Sequence, residues 1–197
     1  MAARRGGGKL AQAWIELRTD DPAAVSALAV ARAHLASGRG LEGLRRLRLV
    51  EVRGSLPGRE VIAELLHRST QFYNPHKERC WVRLKATDPV PAEPGDQVVL
   101  VVERGAVARP AAERWWAHET GKTVEVSEGV AWVMRFAAGE AAAARALELA
   151  DLRDRRNGLL CNPNSQSYRL AEATVPLPWI EREPAPRTRG RETGRRP

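Results

Sequence analysis

The sequence carries one twelve-residue pattern twice, and a chain holding two copies of a unit folds as two related halves or as an array. The copies are Leu159-Leu160-Cys161-Asn162-Pro163-Asn164-Ser165-Gln166-Ser167-Tyr168-Arg169-Leu170 and, upstream, Gln71-Phe72-Tyr73-Asn74-Pro75-His76-Lys77-Glu78-Arg79-Cys80-Trp81-Val82. In each, an apolar pair leads into Asn-Pro and then into a strand-like run, and positions 74 and 162 stand 88 apart. The same order of elements surrounds each copy: a β-rich opening, a short helix after a proline, a further β segment, an amphipathic helix, and the Asn-Pro strand entry. This is a tandem duplication.

The Asn-Pro pair has a mechanical explanation. Proline disfavours the α region for the residue before it and cannot continue a helix, so Asn74-Pro75 and Asn162-Pro163 stop the chain after a helical stretch and hand it to a strand. These four residues, with Leu160 and Tyr168, are read as structural markers of the repeat.

The repeat divides the 197 residues. Residues 1–9 form a flexible basic arm, 10–86 the first repeat, 87–96 a proline-rich linker, 97–173 the second repeat, and 174–197 a Pro/Arg-rich tail expected to be disordered. Cutting is expected to be tolerated in the linker if anywhere. Each half, of about 75 to 80 residues, is small enough to need its neighbour's core.

Along the first half, Ala13, Ile15 and Leu17 alternate with Gln12, Trp14, Glu16 and Arg18 as in a half-buried strand. Asp21-Pro22 reads as an N-cap with proline at the first helical position, opening a helix that stops near Gly38. In the strand from Leu47 to Arg53 the apolar phase flips between Leu49 and Val50, which predicts a bulge or break. A second helix is expected over 57–70, and the closing strand puts Cys80, Val82 and Leu84 on one side.

The second half opens with Val98 to Val102, a continuous apolar run suited to a strand covered on both faces. Pro110 starts a helix bearing Trp115 and Trp116 that ends at Thr120-Gly121. Ser127-Glu128-Gly129 is expected to turn a hairpin between Val124–Val126 and Val130–Phe136, with Val130, Trp132, Met134 and Phe136 sharing a face. A helix over about 140–156 ends at Asn157-Gly158. Beyond Thr174 the prolines forbid regular pairing, leaving Trp179 to pack down once.

The net charge of +8 raises nucleic acid as a partner, but residues 1–9 contribute +3 and residues 181–197 another +3, leaving +2 for the body. Any nucleic-acid binding is therefore expected to be nonspecific and to run through the ends. The longest apolar run is far short of the ~20 residues of a membrane-spanning helix, so no membrane association and a cytoplasmic location are expected. Two cysteines without C-x-x-C spacing give neither a disulfide framework nor a zinc pattern.

No catalytic constellation emerges. His76 and Cys80 on a strand would be ~13 Å apart, too far for a thiol–imidazole hydrogen bond. Cys161 reads as a buried residue at a helix-to-strand junction. His34, His67 and His118 lie on expected helices without a second ligand at a metal-like interval. Asp20-Asp21 is explained by capping, and Asp151 with Asp154 by a solvated helix surface. Gly6-Gly7-Gly8-Lys9 lacks the preceding strand, the glycine spacing and the Ser or Thr of a phosphate loop. No catalytic, cofactor-binding or metal-binding residue is assigned.

The element order and the second motif resemble the PurS family, the small subunit of phosphoribosylformylglycinamidine synthase. Its members end on a Leu-Leu-Ala-Asn-Pro-Val-Ile-Glu-Asp-Tyr-Glu-Ile-like stretch. Leu159, Leu160, Asn162, Pro163, Tyr168 and Leu170 match that ending, and Gly105 to Pro110 stands where the family's first helix starts. Cys161 replaces the alanine, Arg109 the aspartate before the helix proline, and Asn164–Ser167 the apolar-acidic stretch. The first half resembles a more distant copy lacking one hairpin strand. The resemblance implies an α+β fold of two PurS-like, ferredoxin-like-related repeats, with antiparallel sheets and helices on one face, packed as an intramolecular pseudo-dimer. It also implies a noncatalytic subunit without cofactors, whose partners are a synthetase (PurL-type) and a glutaminase (PurQ-type) subunit, with further homo-oligomerisation open. The alternative from another class is a small basic RNA- or ribosome-associated protein on a ferredoxin-like fold.

Overall fold

The computed structural model describes residues 9–105, 108–139, 141–152, 157–171 and 174–180. The order of elements is β1 (Lys9–Leu17), α1 (Pro22–His34), β2 (Leu41–Gly54), α2 (Arg59–His67), β3 (Glu78–Arg83), β4 (Gln97–Glu103), α3 (Pro110–Thr120), β5 (Val124–Phe136), α4 (Ala142–Ala150) and β6 (Gln166–Leu170). The sequence β-α-β-α-β thus occurs twice. β1 and β4 start at 9 and 97, α1 and α3 at 22 and 110, β3 and β6 at 78 and 166, each pair 88 apart. The fold is α+β: one open, antiparallel six-stranded sheet, ordered β3-β1-β2-β5-β4-β6, with four helices among the described residues.

Local chemistry sets the helix boundaries. Asp21 Oδ1 accepts the Ala23 N–H at 2.8 Å with Pro22 in the first turn, so α1 starts where the capping pair places it. Pro110 likewise opens α3, which Gly121 closes in the left-handed region at φ 68°. α2 is shorter than expected, because the chain leaves the helix after Arg68 and turns through Ser69, whose hydroxyl accepts the Gln71 N–H at 3.2 Å. α4 stops at Ala150; Leu159 N–H then returns to Leu149 O at 2.7 Å. Gly158 makes that return possible, since a Cβ there would lie 2.1 Å from Asp151 O. Glu140 and residues 153–156 of the expected helix, and with them Asp154, lie outside the described residues.

All four helices pack on one face. Ile62, Leu65 and Leu66 of α2 and Ala112 and Trp116 of α3 bury Ala11, Ala13, Ile15, Val50, Val52 and Val126. Ala24 and Ala31 of α1 and Ala146, Leu149 and Ala150 of α4 bury Val99, Val101, Trp132 and Met134. Trp14, Leu47, Leu49, Val98, Leu100, Ala131 and Val133 form a third cluster on the opposite face, under Val175, Trp179 and Ile180, with Val90 and Ala92 alongside. Val98 to Val101 are each at most 4 % exposed, as a strand covered on both sides requires.

Double coverage corrects two expectations. Leu49 and Val50 are both buried, 0 % and 1 % exposed, yet β2 pairs with β5 without a break from Gly43↔Arg135 to Gly54↔Val124. The phase flip is a strand apolar on both faces, and the register shift lies instead between Leu41 and Gly43. Ser127-Glu128-Gly129 turns no hairpin: β5 runs straight through it. Gly129 is there for close approach, because a Cβ would lie 2.8 Å from Val102 Cγ1 and 2.9 Å from Leu100 Cδ1. Among the described residues the first half therefore lacks no strand or α-helix that the second has, and adds a short 3-10 helix at Ala36–Gly38.

Two further corrections concern segments expected to be loose. The linker is packed: Asp88 accepts the N–H groups of Leu84 and Lys85 at 2.8 and 3.0 Å, Pro91 O is held by Arg45, and Val90 and Ala92 lean on the third cluster. Residues 174–180 of the expected disordered tail are seated on the sheet, where Val175, Trp179 and Ile180 are buried. The basic arm up to residue 8 and residues 181–197 lie outside the described residues. Among the described residues no helix is long and apolar enough to cross a membrane.

Candidate functional site

Both Asn-Pro motifs build the same turn. Asn74 Oδ1 accepts the His76 N–H at 3.0 Å, and Asn74 O accepts those of Lys77 and Glu78 at 3.0 and 2.8 Å. Asn162 Oδ1 accepts the Asn164 N–H at 3.0 Å, and Asn162 O those of Ser165 and Gln166 at 3.2 and 2.7 Å. The first strand residue closes each turn from behind: Glu78 Oε2 accepts Asn74 N–H at 2.6 Å and Gln166 Oε1 accepts Asn162 N–H at 2.9 Å. Pro75 and Pro163 occupy the position after the asparagine, where no donor is needed. The four motif residues do local backbone work at opposite ends of the sheet, and the fold does not bring them together.

The remaining motif residue types are complementary packing. At a spacing of 88, Tyr73 and Cys80 correspond to Cys161 and Tyr168, so each half keeps one tyrosine against one cysteine with the positions exchanged. Tyr73 and Cys80 share the first cluster; Cys161, Tyr168 and Leu160 share the second. Burial pushes the Cys80 thiol up to about 12, against the nearby Arg48, and also raises Cys161. Neither is an activated nucleophile at neutral pH. His76 sits exposed on the turn, and His67 Nδ1 is 3.1 Å from Tyr73 OH. No group of three His, Cys, Asp or Glu side chains is placed to hold a metal among the described residues.

The notable polar chemistry lies where the alternation pattern assigned solvent. Arg83, Gln12, Glu51 and Ser127 are cross-strand neighbours on β3, β1, β2 and β5. They form one row across the helix-free face, 1 %, 0 %, 3 % and 6 % exposed. Gln12 Nε2 donates to Glu51 Oε1 at 2.7 Å and Gln12 Oε1 accepts from Arg83 Nη1 at 2.9 Å, so the amide joins the two charges. Burial raises the Glu51 carboxyl above its ordinary value, opposed by the Gln12 amide and the N–H groups of Trp179 and Ile180. Burial likewise lowers Arg83, opposed by Asp88 and Glu51. No protein-family model, curated protein or solved structure matches the chain.

A second ionic group clasps the halves on the helix face. Arg48 on β2 donates to Phe72 O at 2.6 Å and to Glu78 at 3.1 Å, and lies 3.6 Å from Glu128 on β5. Glu128 in turn pairs with Arg109, the residue before α3. Arg109, noted only as a departure from the family's aspartate, thus anchors the start of α3 to the central strand. The row on the other face was missed because Gln12 and Trp14 fell on the nominally polar side of β1. The available signal was Trp14 itself, a large apolar side chain among the polar positions.

Proposed function

We propose that this chain is a noncatalytic assembly subunit of PurS-like type that carries both modules of an intramolecular pseudo-dimer in one polypeptide. In this role it holds a synthetase and a glutaminase subunit together, so that ammonia released from glutamine reaches formylglycinamide ribonucleotide in purine biosynthesis. One observation carries the reading: two β-α-β-α-β halves join edge to edge through their long second strands into one sheet. If β1 is equated with β4 at a spacing of 88, the pairings Lys9↔Gly54 and Gln97↔Met134 equate β2 with β5 at 134 − 54 = 80. Leu49, whose counterpart is then 129, pairs with Gly129 itself, as a residue on a two-fold axis must. Burial raises both thiols above their ordinary range, which supports a role that does not use thiol nucleophiles.

The test is reconstitution with synthetase and glutaminase subunits of this class. Glutamine-dependent formation of formylglycinamidine ribonucleotide should require the chain, while the ammonia-dependent reaction should not. Equal glutamine-dependent rates with and without the chain would end the reading. Recovery from cells with RNA and without either subunit would favour the RNA-associated alternative.

A further inference from the structure

The helix-free face is crossed by two Pro-x-Pro segments, Pro89-Val90-Pro91 after β3 and Pro176-Leu177-Pro178 after β6. A Pro-x-Pro segment lacks the N–H groups to join a ladder, so its carbonyls need donors from elsewhere. The buried row supplies them to the second segment. Arg83 Nη2 donates to Val175 O at 2.8 Å, and Gln12 Nε2 to Pro176 O at 2.9 Å, with Arg83 Nη1 at 3.4 Å from the same oxygen. Glu51 Oε1 accepts the Trp179 N–H at 2.7 Å, and the Trp179 ring lies 6.4 Å from Trp14 at a 32° tilt. Among the described residues, segment 174–180 makes no backbone-to-backbone hydrogen bond to the sheet.

Buried side chains that read main-chain carbonyls beside an aromatic floor are the means by which extended proline-rich peptides are recognised. We propose that Gln12, Trp14, Glu51 and Arg83 form a peptide-binding groove for a partner protein's Pro-x-Pro-aromatic segment, filled in cis by residues 174–180. Two features favour exchange. The cis segment is held by side chains, so it can leave without breaking the sheet. It is also an incomplete ligand: Trp14 is 0 % exposed and its indole N–H has no hydrogen-bond partner among the described residues. An incoming peptide that sets a carbonyl against that N–H gains a contact the cis segment lacks.

The experiment uses the full-length chain and a fluorescein-labelled heptapeptide of residues 174–180, followed by fluorescence polarisation. Cis occupancy lowers apparent affinity by the fraction of open groove, so Trp179→Ala should bind the peptide on the order of tenfold or more tightly than wild type. The peptide with both prolines replaced by alanine should bind correspondingly less well. A Trp179→Ala chain that melts cooperatively like wild type, yet shows no binding up to millimolar peptide, overturns the proposal. If that variant fails to fold, amide exchange in the wild-type chain decides. The Trp179 N–H should exchange by local opening well ahead of the β2 and β5 amides, and equal protection would make the segment a fixed part of the core. A concentration-dependent dimer instead of peptide binding would assign the groove to the strap of a second copy and also overturn it.

Discussion

Glu51 Oε1 accepts the backbone N–H of Trp179 at 2.7 Å, joining a strand of the first half to a segment beyond the second across 128 positions of sequence. The carboxyl is buried and its affinity for protons is raised from the ordinary 4.5. A raised folded-state value means the native state holds a proton that the unfolded chain gives up. The stability this confers is full below about pH 4.5 and is lost as pH rises through the folded value. The difference in melting temperature between Glu51→Gln and wild type should therefore move in favour of the variant from mild acid to neutral pH. A flat difference over that range, measured by circular dichroism, would show that Glu51 does not titrate as its burial requires.

Glu51→Leu removes the carboxyl oxygen that accepts the Trp179 N–H and the Gln12 amide, leaving two buried donors without it. A loss of about 1–3 kcal/mol for each stranded donor in denaturant unfolding is expected. A loss under 1 kcal/mol would mean that the row contributes little to holding the strap.

Asn74→Ala and Asn162→Ala each remove one side-chain acceptor from one turn. Each should cost about 1 kcal/mol, and the double variant should cost the sum, because the turns lie at opposite sheet edges without a shared partner. Strong non-additivity would reveal coupling between the motifs.

Cys80, pushed up to about 12, should resist iodoacetamide in the folded chain at pH 8 and react on unfolding. Mass spectrometry of labelled peptides reads this directly. Any glutaminase activity copurifying with the chain should be unchanged in Cys80→Ala and Cys161→Ala; loss in either variant would place the thiol in catalysis.

Cleavage at a protease site inserted between Pro94 and Gly95, both exposed, should leave two fragments that stay together and melt in one transition. The reason is geometric: the cut falls between β3 and β4, whereas the halves meet through β2 and β5 and through the strap on Gln12, Glu51 and Arg83. Fragments that separate on gel filtration without unfolding would mean independent halves.

Where a rule is local, the residues predicted their structure. Asp21-Pro22 opened α1, Gly121 closed α3, and Asn-Pro turned the chain into the following strand in both halves, because caps and proline restrictions act within a few residues, although both helices had already ended upstream of the Asn-Pro turns. Burial followed no such rule. The apparent break at Leu49-Val50, the apparent turn at Ser127–Gly129 and the apparent solvent side of β1 were misread for one reason: alternation identifies the core only when one face of a strand is wet.

The sequence by itself therefore determined most of the order of elements and much of their local punctuation. Only the tertiary structure decided what lies against each strand. Gln12, Glu51 and Arg83 are far apart in the chain and ordinary as surface residues; they became one buried row when three strands fell into register and the Pro-x-Pro segment settled over them. Register and coverage depend on contacts between distant residues, and no local pattern encodes them.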